Sequence, residues 1–145
     1  MRRRHCRGVA AIELAMVLLV CALLLTQCLY YGRLAMSGAV LDRATSDVAR
    51  YLALVPVESL RDGTQRALVL GNAQVMLEQA LADAGVQVLD LQVDFGCGLT
   101  GCSVVSPANP LASMSVTAML RYRDEWFGAA GDVDLLAYAE AGRDN

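Results

Sequence analysis

The feature that most constrains this chain is an unbroken apolar stretch near its amino terminus. Nineteen consecutive residues, from Leu14 to Gly32, carry no charged side chain. Counted from Val9, the stretch covers residues 9–32, and as a helix it would be about 36 Å long at ~1.5 Å per residue. Because the hydrocarbon core of a bilayer is about 30 Å thick, residues 9–32 are predicted to form one transmembrane helix.

Charge is distributed unevenly on the two sides of this stretch. Four arginines lie within the first seven residues, at Arg2, Arg3, Arg4 and Arg7. After Gly8, eight arginines are opposed by fifteen acidic residues, a net charge of −7. Basic residues before an apolar span stay in the cytoplasm, so we expect a cytoplasmic amino terminus and a translocated remainder. Nucleic acid is not an expected partner, because its recognition needs a basic face.

Three kinds of amino-terminal segment begin with basic residues followed by an apolar stretch. A cleaved secretory signal is disfavoured because Glu13 interrupts the apolar region and no A-x-A site follows cleanly. A lipoprotein signal ending at Cys21 or Cys28 is disfavoured because Val20 and Gln27, rather than small residues, precede those cysteines. A permanent anchor fits best, and membrane lipid is then an expected partner.

Glu13 is the one acidic residue inside the predicted span. An unpaired carboxylate there costs roughly 2–4 kcal/mol, unless it is neutral or reaches the interface. Glu13 is also the fifth residue after Gly8. Cleavage after Gly8 would give Val9 a new α-amine, and this cation could pair with Glu13 of its own chain or of a neighbouring copy.

These residues together resemble the amino-terminal sequence of a known protein family. Residues 7–19 read Arg-Gly-Val-Ala-Ala-Ile-Glu-Leu-Ala-Met-Val-Leu-Leu, and Gly32-Arg33 follows the span. This pattern resembles the opening of TadE-like proteins, which are minor pilins or pseudopilins of the tight-adherence (Flp, type IVb) pilus system. The similarity covers residues 7–33 and weakens up to about Leu54.

The resemblance implies a function and a set of partners. Residues 1–8 would be a leader that a prepilin peptidase removes between Gly8 and Val9, and Glu13 would act in assembly. Other pilin and pseudopilin subunits and the inner-membrane assembly platform would be further partners. The protein would lie in the bacterial inner membrane with a periplasmic head, and it would serve pilus assembly, adhesion and biofilm formation. The alternative is an unprocessed, single-pass, membrane-anchored periplasmic binding module.

A helical period continues beyond the span, over residues 33–55. Apolar or small residues recur every seven positions, with a second set offset by four. They are Leu34, Leu41, Val48 and Val55, with Gly38, Thr45 and Leu52 between them. One helix is therefore expected from about Val9 to Leu54, ended by Pro56. A separate helix that begins after a break at Gly32 fits the same residues.

Residues 56–145 predict a periplasmic globular head of the α+β class. Residues 57–63 contain turn signals, and a second helix is expected over 64–84, capped by Thr64 and ended by Gly85, with a break possible at Gly71. Alternating patterns then predict three antiparallel strands, with a bulge near Leu89 in the first. The strands cover residues 86–95, 112–122 and 133–141.

The spacing of two of the five cysteines predicts a disulfide between them. Cys97 and Cys102 bracket a glycine-rich turn on the translocated side, where an oxidising compartment favours a bridge. A metal site is the alternative, but it usually needs four ligands, and the only histidine, His5, lies in the leader. Cys21 and Cys28 lie in the span as small apolar residues, and Cys6 leaves with the leader.

No catalytic constellation is evident, so the protein is not expected to be an enzyme. After Gly8 the chain contains no histidine, no glycine-rich phosphate loop and no nucleophile motif, and no cofactor or metal is implied. Trp126 and Phe127 form a large aromatic pair in a predicted loop. They are expected either to anchor the core of the head or to contact a partner.

Overall fold

The computed structural model describes residues 6–86, 88, 90–98, 100–102, 113–123 and 132–143. These residues form an α+β fold, as predicted. The helices are α1 (Cys6–Leu54), α2 (Val57–Arg61) and α3 (Gly63–Asp83). The strands are β1 (Asp90–Cys97), β2 (Thr100–Gly101), β3 (Ser113–Tyr122) and β4 (Val133–Gly142). The chain divides into two compact units, Met1–Met36 and Ser37–Asn145.

Helix α1 is continuous, so the alternative of a separate helix after Gly32 is wrong. Its backbone is helical from Cys6 to Leu54 without interruption. The predicted stripe is buried in the second unit, where Leu41, Val48 and Leu52 have almost no exposed surface. Ser37, Ala44 and Ala49 are also buried and widen the stripe. The hydroxyl of Thr45, also buried, donates to the Leu41 carbonyl at 2.7 Å and so needs no partner outside the helix.

The segment after Pro56 contains a helix that the turn signals did not predict. Residues Val57–Arg61 form α2, and its Leu60 side chain is fully buried. Pro56 has φ −55° and ψ 137°, so it ends α1 while its fixed φ suits the position before a new helix. The sequence predicted turns here because this short helix has no periodic apolar pattern; its one buried side chain is Leu60.

Helix α3 matches its predicted extent, but two predicted details are wrong. Asp62, rather than Thr64, caps its amino terminus, since the Asp62 carboxylate accepts hydrogen bonds from the backbone N–H groups of Thr64 and Gln65 at 2.8 and 3.1 Å. The helix does not break at Gly71. Buried Ala73, Leu77 and Leu81 follow that glycine and supply the packing that offsets its low helix propensity.

Gly85 ends α3 in the left-handed region, as predicted, with φ +71°. The next backbone N–H, of Val86, donates to the Leu81 carbonyl at 2.9 Å. The first strand begins at Asp90 rather than at the predicted Val86. The predicted bulge at Leu89 falls on a residue outside the described part of the chain.

The four strands form one antiparallel sheet in the order β2-β1-β3-β4. Strand β3 is central, pairing Leu120 with Leu91 of β1 and with Leu135 of β4. Its alternate residues face the core, as the sequence alternation predicted. The core-facing residues with no exposed surface are Met114, Val116, Ala118 and Leu120. This face packs with the α1 stripe and α3, so the second unit has a single apolar core.

Candidate functional site

The first unit, described by itself, contains the apolar first half of α1. From Ala10 to Leu29 every side chain is exposed. Within the described residues, α1 is the one helix long and apolar enough to cross a membrane, judged by length and composition. So large an apolar surface is unfavourable in water, and it is suited to lipid or to the helices of other proteins.

Glu13 lies on this exposed helical surface, in the third turn of α1. Within the described residues its carboxylate has no hydrogen bond and no ion pair. Val9 precedes it by four residues, so the two positions lie one above the other on the same helix face. Long helical side chains lean toward the amino terminus, and from Glu13 this is the direction of the turn that contains Val9.

The predicted cleavage site lies in the first turn of α1. The backbone of Gly8 and Val9 is helical, whereas residues 1–5 of the predicted leader lie outside the described chain. N–H groups of a first helical turn have no intrahelical acceptor, and glycine weakens a helix by about 1 kcal/mol relative to alanine. Unwinding this turn therefore costs less than unwinding a turn in the interior of α1.

The predicted disulfide is present between Cys97 and Cys102. The two Cα atoms are 4.8 Å apart, and both side chains are buried. The bridge joins the end of β1 to the residue after β2, across a turn in which Gly98 has φ +70°. Two backbone bonds hold the same turn: Gly98 N–H to Ser113 C=O at 2.9 Å, and Cys102 N–H to Phe95 C=O at 3.3 Å.

The outward face of the sheet carries a surface that sequence reasoning did not single out. Strand register aligns Gln92, Met119 and Leu136 in one row, and Asp94, Thr117 and Tyr138 in the next. Leu136 is 64% exposed and Tyr138 is 62% exposed. The alternation of Asp134, Leu136, Tyr138 and Glu140 is visible in the sequence and indicates one exposed strand face. That this face lies beside an edge of the sheet follows from the position of β4 in the strand order.

Polar contacts surround these two residues. The Tyr138 hydroxyl donates to a Glu140 carboxylate oxygen at 3.0 Å, and this bond raises the pKa of Tyr138. Hydrogen bonds from Ser113 and Tyr138 lower the pKa of Glu140, so its side chain is anionic at neutral pH. At the other end of β4, the Arg121 guanidinium lies 3.4 Å from the Asp134 carboxylate.

A second ion pair lies where β3 ends and β4 is about to begin. The Arg123 guanidinium donates to both carboxylate oxygens of Asp132, at 2.8 and 3.1 Å. This bidentate contact lowers the pKa of Asp132 and raises that of Arg123. The pair holds the two strand ends together at the surface.

The remaining sequence candidates are not brought together into a site. In the part of the chain that the structure describes, no group of three or more His, Cys, Asp or Glu residues could hold a metal ion. Cys21 and Cys28 are free thiols exposed on α1. Trp126 and Phe127 lie outside the described residues.

Comparisons with known proteins identified no relative. The chain matches no protein-family model, no curated protein and no solved structure.

Proposed function

We propose that this protein is a TadE-like minor pilin or pseudopilin that a prepilin peptidase cleaves between Gly8 and Val9. It takes part in assembling a tight-adherence pilus, and through the pilus in adhesion and biofilm formation. Its role is structural rather than enzymatic. The observation that carries the proposal is an acidic residue, Glu13. It is exposed in the otherwise apolar stretch of α1 over residues 9–32, about one helical turn after the proposed cleavage position.

The apolar half of α1 supports insertion in the bacterial inner membrane. The arginines before it keep the amino terminus in the cytoplasm, and the acidic head is then periplasmic. A periplasmic head also agrees with the Cys97–Cys102 bridge, because disulfides persist in oxidising compartments.

Cleavage supplies the partner that Glu13 otherwise lacks. The new α-amine of Val9 is a cation at the start of α1, within one helical turn of the carboxylate in its own chain. In a bundle of subunits, a helix shifted along the filament axis presents its Glu13 to the amine of a neighbour. A buried carboxylate that gains such a cation avoids the cost of an unpaired charge in lipid, so the pairing sets the axial register between subunits.

The exposed apolar surface of α1 supports lateral packing of subunits. Helices associate in lipid through close packing and interhelical polar contacts rather than through water exclusion. Other pilin and pseudopilin subunits, together with the assembly platform, are the partners of this surface. The head, with its own core and disulfide, is carried by the helix into the periplasmic part of the assembly.

Replacing Gly8 tests the cleavage. We expect Gly8→Leu to abolish processing, so that mass spectrometry of the purified protein finds residue 1 still attached. Gly32→Leu is the matched control, since a Cβ atom at Gly32 would meet no atom within 4 Å, and we expect this variant to be cleaved normally. Identical mass and function for wild type and Gly8→Leu in a host with an active prepilin peptidase would favour an unprocessed, membrane-anchored binding module instead.

Replacing Glu13 tests the assembly role separately. We expect Glu13→Ala to leave cleavage largely intact while lowering incorporation into pili, with Glu13→Asp retaining part of the activity. Ile12→Ala, at a neighbouring position that is also exposed, is the control for loss of side-chain bulk. Unchanged piliation with Glu13→Ala, at wild-type protein levels, would remove Glu13 from the mechanism.

A further inference from the structure

Among the described strands, β4 is an edge strand of the sheet. β3 pairs with it on one side, and no strand in the described ranges pairs with the other. β4 is ten residues long and contains neither proline nor lysine, two of the residues that commonly protect an edge strand. An open edge of this length offers a row of backbone N–H and C=O groups to an incoming segment.

The outward face of β4 is apolar at its centre. Leu136 and Tyr138 are each more than 60% exposed, and the partly exposed Met119 lies directly beside Leu136 on β3. A single exposed leucine needs no explanation, whereas a contiguous apolar patch beside an open strand edge indicates an interaction surface. An added strand would place its own side chains opposite Leu136 and Tyr138.

Carboxylates flank this apolar centre on the same face. Asp134 precedes Leu136 by two residues, and Glu140 follows Tyr138 by two. Asp134 and its partner Arg121 remain more than half exposed at 3.4 Å, so the carboxylate can accept a further donor. The face of β4 therefore presents the order acidic, apolar, apolar, acidic at alternate residues.

We propose that the open edge of β4 binds an extended segment of another protein by strand addition. The segment carries basic, apolar, apolar and basic residues at alternate positions, so that its cations meet Asp134 and Glu140 and its apolar residues meet Leu136 and Tyr138. Directly opposed cross-strand pairs of these types are each favourable. The inference stands on the geometry of the head and does not depend on the proposed pilin function.

A second copy of this chain is a poorer occupant of the edge. Antiparallel self-pairing centred on Ala137 would place Leu136 of one copy opposite Tyr138 of the other. The same register would place Asp134 opposite Glu140 at both ends, and like charges directly opposed across strands are destabilising. The net charge of −7 after Gly8 adds a general repulsion between copies.

Peptide binding to the full chain in phosphatidylcholine nanodiscs tests the proposal. The probe is a fluorescent nine-residue peptide in which threonine alternates with arginine, valine, isoleucine and arginine. We expect saturable binding by anisotropy, weakened at high salt, with new hydrogen-exchange protection in β4. A peptide with glutamate in place of arginine is expected to bind at least about tenfold more weakly.

Variants of the head separate the edge from the rest of the surface. Replacing Leu136 and Tyr138 together by threonine is expected to weaken binding by about tenfold or more. Val75→Thr is the matched control, because Val75 is similarly exposed on α3, and it should bind as wild type does. Unchanged hydrogen exchange in β3 shows that each variant is folded.

Three results would overturn the proposal. One is equal binding of a scrambled peptide of the same composition. Another is binding to empty nanodiscs at the same strength, which would assign the peptide to lipid. The third is a dimer of the chain in sedimentation that the Leu136 and Tyr138 replacements abolish, which would make a second copy the occupant of the edge.

Discussion

Replacing Leu52 by alanine measures how strongly the amphipathic part of α1 is held in the head. Leu52 has no exposed surface, whereas Leu54, two residues later on the same helix, is 84% exposed. Both substitutions remove the same atoms, and leucine and alanine differ little in helix propensity. The difference between the two variants therefore reports mainly packing.

The magnitude follows from the burial of the two side chains. Leucine to alanine removes three carbon atoms, worth about 2.4 kcal/mol at ~0.8 kcal/mol per buried carbon. A residual cavity raises the loss, so we expect Leu52→Ala to lower the free energy of unfolding by about 2.7–5 kcal/mol. Leu54→Ala, at an exposed position, should change it by less than about 0.5 kcal/mol.

Amide hydrogen exchange in β3, with the protein in nanodiscs, is the assay. Each 1.4 kcal/mol changes the opening equilibrium about tenfold, so β3 amides that exchange by global opening should exchange roughly a hundredfold faster or more in Leu52→Ala. Equal exchange rates in the Leu52 and Leu54 variants would refute the packing of this stripe in the core.

Three further predictions concern contacts in the head. Asp62→Ala should destabilise it by about 1 kcal/mol through loss of the α3 cap, whereas Thr64→Ala should have little effect; denaturant titration distinguishes them. Arg143 donates to the backbone carbonyl of Val55, directly after α1, at 2.6 Å, so Arg143→Gln should cost about 1–2 kcal/mol in the same titration. The pKa of Asp132 is lower folded than unfolded, so its stabilising contribution is present above the unfolded pKa, near 4, and is lost as pH falls through the folded value. Arg123→Gln should raise that pKa in an NMR titration; an unchanged pKa would contradict the assignment.

Features that depend on local periodicity were predicted correctly. The seven-residue recurrence of Leu41 and Val48 marked the buried stripe of α1, and the alternation in residues 113–122 marked the core face of β3. The bridge between Cys97 and Cys102 followed from two cysteines spaced around a tight turn. In each case the signal lies within a few residues of the structure it specifies.

Features that depend on competition between neighbouring residues were predicted less well. Asp62 and Thr64 are both good capping residues, and the choice between them depends on where α2 ends, which in turn depends on the burial of Leu60. Gly71 lowers helix propensity, but packing further along α3 outweighs it.

Hydropathy and residue periodicity are properties of the linear chain, so they were enough to predict an apolar helix long enough for a membrane, an amphipathic continuation and an α+β head with a disulfide. The spacing of Gly8 and Glu13 is likewise a property of the sequence, and the Gly8 and Glu13 replacements test the cleavage and the assembly role proposed for it. The strand order β2-β1-β3-β4, and with it the position of β4 at the edge of the described sheet, was not predicted and comes from the three-dimensional fold. Strand pairing joins residues far apart in the chain through backbone hydrogen bonds that most side chains permit. No local pattern therefore shows that the strand carrying Leu136 and Tyr138 lies at an edge of the sheet.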